Sequence, residues 1–214
     1  FVIGFPRIGP KRELKFAEES YFGGSVSSKD LEQTAASLRA YGWKKQSDAG
    51  IDFIPSNDFS YYDLMLDTAV MLGAVPARYS SLGLNALDTY FAMAHGYQGT
   101  KGDVKALPMK KWFNTNYHYI VPELESTTTL SLNAEKLLSE FNEAKSKGIK
   151  TVPTVIGPYT FLHFATLPAG KTRDDYAEQI AQCYKELFAK AADAGAEWIT
   201  VCESALVFDT DSQS

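Results

Sequence analysis

Two stretches of this sequence group residue types that could do chemistry. The first is Lys11-Arg12-Glu13-Leu14-Lys15, a basic cluster behind Gly9-Pro10. The Gly-Pro pair sets a turn, so the cluster should open a helix, and Arg12 and Lys15 then share a face at i and i+3. Leu14, Ala17 and Tyr21 form the opposite, apolar face. Two cations at a helix start oppose the macrodipole unless an anion sits there. One reading is therefore an anion site for a carboxylate or phosphate, which Arg grips bidentately. The plainer reading is a solvated turn with Lys15 paired to Glu18 or Glu19. The second stretch is Lys110-Lys111-Trp112-Phe113-Asn114-Thr115-Asn116-Tyr117-His118-Tyr119. Flat rings beside cations suit a heteroaromatic ligand with a charged tail, and they equally suit a strand with an aromatic edge.

Other reactive residues form no constellation. His95, His118 and His163 are far apart in sequence, and Cys183 and Cys202 lie in different elements. That is neither a zinc spacing nor a disulfide framework, and two reduced thiols are expected. Gly4-Phe5-Pro6-Arg7-Ile8-Gly9 lacks the spacing of a dinucleotide fingerprint, and there is no phosphate loop or nucleophile elbow. No catalytic and no metal-ligating residue is assigned.

Elements that could position these groups follow from a repeated pattern. A helix-period segment ends, a Gly follows, then a short β-prone run begins: Gly50-Ile51-Asp52-Phe53-Ile54, Gly148 to Val152, and Gly195 to Ile199. This is the signature of βα units in a parallel sheet. Strands are expected at Val2–Phe5, Asp52–Pro55, Tyr117–Val121, Thr151–Ile156 and Glu197–Val201, with Ala205–Phe208 a possible extension. Apolar stripes place helices at Leu31, Ala35, Leu38 and Tyr41 behind a Ser27-x-x-Asp30 capping signal, at Leu137 to Ala144, and at Tyr176 to Ala191. Lys101–Leu107 and Ser126–Thr129 read as loops. Polar residues follow the strands: Pro6-Arg7, Ser56-Asn57-Asp58, Pro122-Glu123, Gly157-Pro158 and Cys202-Glu203-Ser204. The C-terminal ends of parallel strands carry the site both in a doubly wound sheet and in a barrel.

Composition sets broader bounds. With 214 residues, 45% hydrophobic and 22% charged, the chain is long enough for a sizeable core. A net charge of −5 argues against nucleic acid as a general partner. No run is long enough to span a membrane and no signal peptide precedes the first apolar run, so a cytoplasmic setting is expected. The sequence opens directly on an apolar run at Phe1, with no initiator Met, and stops at Ser214 just after another strand-like run, so both ends read as cut.

Gly4-Phe5-Pro6-Arg7-Ile8-Gly9-Pro10 with Arg12-Glu13-Leu14-Lys15 resembles the N-terminus of cobalamin-independent methionine synthase. Asp52 to Phe59 with Tyr62-Asp63, Lys111 to Tyr119, and Val155-Ile156-Gly157-Pro158 are similar to further segments of that family. The resemblance spans Phe1 to Phe208. It implies an α/β fold of (β/α)8 TIM type, incomplete here with about five of eight strands: residues 1–214 would be the front part of the N-terminal barrel, without the C-terminal catalytic barrel. It implies transfer of a methyl group from 5-methyltetrahydropteroyl-triglutamate to homocysteine, with a zinc ion held by the C-terminal barrel, and a chain inactive by itself. The folate contacts carried over by motif are Arg12, Glu13, Leu14, Lys15 and Lys111; Trp112 and Phe113 then serve as packing. The implied partners are the folate polyglutamate and the C-terminal barrel. One departure stands out: Cys202-Glu203-Ser204 replaces the usual Asp-Glu-Pro. A stand-alone folate-binding module, a diverged paralogue and a uroporphyrinogen-decarboxylase-like enzyme are the competing readings.

Overall fold

The computed structural model describes residues 1–209. In chain order the elements are α1 (Glu13–Phe22), α2 (Ser28–Asp48), β1 (Ile54–Ser56), α3 (Leu64–Met71), α4 (Ala77–Ser80), α5 (Ala86–His95), β2 (Tyr97–Gly99), β3 (Gly102–Val104), β4 (Met109–Lys111), β5 (His118–Ile120), α6 (Glu135–Ser146), β6 (Thr151–Ile156), α7 (Pro158–Phe164), α8 (Asp174–Asp193) and β7 (Thr200–Cys202), followed by a 3-10 turn at Ser204–Val207.

Local chemistry explains the main helices. The Ser27 hydroxyl accepts the Asp30 N–H at 3.2 Å while the Asp30 carboxylate accepts the Ser27 N–H at 2.9 Å, so α2 begins in a reciprocal capping box. Gly50, Gly148 and Gly195 follow α2, α6 and α8 with φ of 75°, 73° and 97°, a region that only glycine enters cheaply. The expected stripes are buried at Leu31 and Ala35, at Leu137, Phe141 and Ala144, and from Tyr176 to Leu187. Tyr41 and Phe188 are corrections: both are exposed, because each lies at the rim of its stripe.

Three strands form a parallel sheet in the order β1-β6-β7, and two antiparallel hairpins, β2-β3 and β4-β5, stand apart. β6 is buried along its whole length, as a central parallel strand covered on both faces should be. One core cluster joins α3, α6, α7 and α8 to β6, and a second joins α1, α2, α3 and α5.

Several strand expectations are corrected. Val2–Phe5 forms no strand: the Phe5 N–H donates to the Asp58 carboxylate at 2.9 Å instead of joining a ladder. Tyr117–Val121 contains β5, but β5 pairs antiparallel with β4, because residues 112–117 close a hairpin sooner than a distant parallel partner can be reached. Ala205–Phe208 lies mostly in the 3-10 turn, and Lys101–Leu107 contains β3 where a loop was expected. Asp52–Pro55 and Glu197–Val201 mark β1 and β7, which begin two and three residues later than expected. The parallel sheet thus has three strands, not five, and the described residues form no closed barrel.

Candidate functional site

The N-terminal segment reaches the basic cluster through an irregular but well-tied path. The Phe5 N–H meets Asp58, and the Arg7 guanidinium donates to the carbonyls of Ser60, Tyr61 and Tyr62 at 2.9, 2.9 and 2.8 Å. The chain then turns at Gly9, whose φ is 84°. The Arg12 N–H closes onto the Gly9 carbonyl and the Leu14 N–H onto the Ile8 carbonyl, both at 3.1 Å. A Cβ at Gly9 would press within 2.7 Å of Leu38, so glycine is required both for the turn and for the close approach.

This turn sets the stage for α1. Arg12 occupies the N-cap in the left-handed region, at φ 63° and ψ 33°, and its side chain makes no capping bond. Its guanidinium is exposed and forms no ion pair among the described residues. Arg12 and Lys15 flank the exposed ring of Phe16, at 5.9 and 5.5 Å from its centroid, so the shared face is present. Lys15 also pairs with Glu19 at 3.1 Å; both side chains are solvated, and such a pair contributes about 0.3–0.5 kcal/mol. Glu13 turns back to accept the Lys11 N–H at 2.9 Å. Leu14 is fully buried in the core with Leu31 and Ala35. Of the four residues in this motif, two offer cations, one fixes the turn and one anchors the helix.

Lys111 ends β4, opposite His118, and is exposed. The rings beside it are packing. Trp112 lies 5.0 Å from Phe113, 5.6 Å from Tyr119 and 5.0 Å from Phe164. Phe113, at φ 52°, stacks on Phe208 at 5.2 Å. His118 is exposed in the ladder opposite Lys111, and among the described residues it makes no side-chain hydrogen bond or ion pair. Among the described residues no hydrogen bond or ion pair joins Lys111 to Arg12 or Lys15. The structure therefore gives one cation pair on α1 and one cation on a separate hairpin.

The strand ends hold a polar network that sequence reading marked only as polar positions. The Asn57 amide, on a residue at φ 62°, donates to the Thr154 carbonyl at 2.9 Å. The Lys136 ammonium reaches Asn57 Oδ1 at 2.9 Å, the Phe59 carbonyl at 2.7 Å and Glu140 at 3.1 Å. Arg39 pairs with Glu143 at 2.8 Å and Glu32 at 2.6 Å. Lys136 and Glu140 stand at i and i+4, a spacing that could have flagged the pair. At the end of β7, Glu203 accepts the Tyr159 and Thr160 N–H groups at 3.0 and 2.8 Å and the Thr160 hydroxyl at 2.7 Å. Burial raises Glu18 to about 7, against the pull of Arg7, and raises Asp63 to about 6, even though Asp63 caps α3 and accepts the Ile120 N–H.

Comparison with known proteins fixes the family. The family described as "Cobalamin-independent synthase, N-terminal domain" matches residues 1–214. This chain belongs to that family. Its relatives include a protein of Bifidobacterium adolescentis named 5-methyltetrahydropteroyltriglutamate–homocysteine methyltransferase, 53% identical over 214 aligned residues that cover 98% of this chain and 28% of the relative. A Lactococcus lactis subsp. cremoris protein of the same name is 51% identical over 97% of this chain and 28% of its own length. A Streptococcus pneumoniae homologue, also so named, is 49% identical over 99% of this chain and 28% of its own. The chain thus spans little more than a quarter of the curated relatives it matches, and within the cobalamin-independent synthases it corresponds to the N-terminal domain. No helix among the described residues is long and apolar enough to cross a membrane.

Proposed function

We propose that this chain is the folate-binding N-terminal portion of a methyltransferase that moves a methyl group from 5-methyltetrahydropteroyl-triglutamate to homocysteine, forming methionine. Arg12 carries the reading. Its guanidinium is exposed, it sits beside Lys15, and it is held on a left-handed backbone that a stability argument alone would give to Gly or Asn. A triglutamate tail offers several carboxylates. Arg12 can grip one bidentately, while Lys15, released from its weak pair with Glu19, and Lys111 act as point charges. Glu13 and Leu14 belong to the same proposed contact set; the Leu14 side chain is buried, so its share comes from the backbone of the turn.

In this reading residues 1–214 form the front arc of the N-terminal (β/α)8 barrel, with β1, β6 and β7 as barrel strands and the two hairpins as insertions. The C-terminal barrel of the same polypeptide is the main partner and supplies the zinc that activates the homocysteine thiol. The residues in hand do not fit that metal. Cys183 is buried in the core, and the Glu203 carboxylate beside Cys202 is consumed by the start of α7. Residues 1–214 alone are accordingly inactive, and the setting is cytoplasmic.

Isothermal titration of the full native polypeptide containing this chain tests the proposal. Arg12→Ala with Lys111→Ala should weaken the triglutamate about 10- to 100-fold, an order set by losing charge-assisted bonds of ~1.5–3 kcal/mol. The monoglutamate form should change far less. Unchanged triglutamate affinity would show that these cations serve another purpose.

A further inference from the structure

We infer that Arg7 is the positioning residue of the α1 cation pair: its guanidinium, spent on three successive backbone carbonyls, fixes the turn that presents Arg12 and Lys15. The inference rests on the proposed folate-tail role of those cations and adds to it a residue that touches no ligand.

The segment before α1 is in no ladder, so its position depends on side-chain ties. Phe5 is tied through one N–H, to Asp58. Arg7 supplies the remaining polar ties from this segment to the 57–62 loop, and both of its terminal nitrogens are used: Nη1 on the Ser60 and Tyr61 carbonyls, Nη2 on that of Tyr62. A planar fork can satisfy three carbonyls at once; a lysine ammonium on a flexible stem cannot hold the same spread. The loop is itself immobilised. Lys136 takes the Phe59 carbonyl, and the Ser60 hydroxyl donates to Asp67 at 3.0 Å. The Tyr62 N–H is held by the Ser60 hydroxyl and the Tyr90 hydroxyl, each at 3.1 Å. Four successive carbonyls, 59 to 62, are thus taken by two cations. From this fixed platform Arg7 leads within two residues to Gly9, where the Arg12 and Leu14 N–H bonds close the turn. Arg7 cannot also reach a ligand without giving up these bonds. It acts through Arg12 and Lys15.

The test uses the full native polypeptide, with 5-methyltetrahydropteroyl-triglutamate and its monoglutamate form as probes. Arg7→Met should raise the triglutamate Kd about tenfold while the monoglutamate Kd moves less than about twofold. Amide exchange at Arg12 and Leu14 should quicken. Equal weakening of both ligands would mark Arg7 as a general stability residue and overturn the inference, as would no weakening at all. If Arg7→Met does not fold, Arg7→Lys carries the comparison. It keeps the charge but loses the fork, so a reduced triglutamate preference at an unchanged Tm is expected, and an intact preference overturns the inference. Arg12→Ala with Lys15→Ala is the control. If that pair leaves the triglutamate preference intact, the underlying site reading falls, and the role of Arg7 falls with it.

Discussion

Glu18 points inward from α1, and its Oε1 is buried without a hydrogen-bond partner. Desolvation lifts its pKa to about 7, and the Arg7 charge only partly offsets this. A carboxylate whose folded pKa lies above its usual 4.5 stabilises the fold fully below about pH 4.5. That contribution is lost as pH rises from 4.5 through 7. Glu18→Gln removes the cost of ionisation. The variant should therefore melt higher than the parent at pH 8 and close to it at pH 4. The difference should be on the order of 1 kcal/mol, well below the full value of the shift because the group is partly solvated. Thermal melts at the two pH values check this; an equal gain at both would mean that the side-chain amide packs better, whatever the charge. Glu18 appeared in the sequence only as a possible partner of Lys15, and Glu19 holds that place. The spacing itself carries a further signal: Glu18 stands four residues after Leu14 and three before Tyr21, on the apolar face of α1, where its Oε1 is buried.

At the scale of elements, one carboxylate fastens the end of β7 to the first turn of α7. Glu203 accepts two N–H groups and a hydroxyl there, and the strand pair β6–β7 closes above it through the Gly157 N–H and the Cys202 carbonyl at 2.9 Å. A Cβ at Gly157 would overlap the Glu203 carboxylate, although the backbone there is ordinary. Gly157→Ala should therefore destabilise by about 2–3 kcal/mol through overpacking and displaced hydrogen bonds, measured by urea unfolding. A loss under about 0.5 kcal/mol would mean that Glu203 moves aside freely. The same clamp makes sense of Cys202-Glu203-Ser204: the central Glu is the structural member, and the residues on either side can vary around it. Helices were legible in the sequence because their signals are local. The Ser27–Asp30 cap, the glycines after α2, α6 and α8, and the long stripe of α8 each act within a few residues. Strands were less legible. Thr151–Ile156 stood out because β6 is buried on both faces, whereas Val2–Phe5 has the composition of a strand and loses its ladder to a carboxylate at Asp58, 53 positions away. The candidate site was legible only as chemistry: the sequence offered the cations Arg12, Lys15 and Lys111 that the proposal uses. It was not legible as geometry, since Leu14 faces the core and the Arg7 grip depends on backbone atoms.

At the scale of the molecule, the sheet of the described residues ends at β7 with apolar surface in view. Trp198 and Val201 are 62% and 38% exposed, and the Trp198 ring lies 6.3 Å from exposed Phe53 across the ends of the strands. An unpaired parallel edge with such neighbours is a template for association. A polypeptide of residues 1–214 alone should self-associate in a concentration-dependent way in sedimentation velocity. Trp198→Lys with Val201→Lys should return it toward monomer; a monomeric parent at high concentration would show that the edge is adequately shielded. The Arg7 grip has a different consequence. It is made to backbone carbonyls, which every amino acid carries, so it does not read the identities of residues 60 to 62. Substitutions there can accumulate over generations without loosening the grip, provided the loop keeps its shape. A change at residue 7 has no such latitude. Mutational tolerance on the two sides of one contact is therefore unequal, and variation among natural sequences should be freer on the loop than at the arginine that holds it.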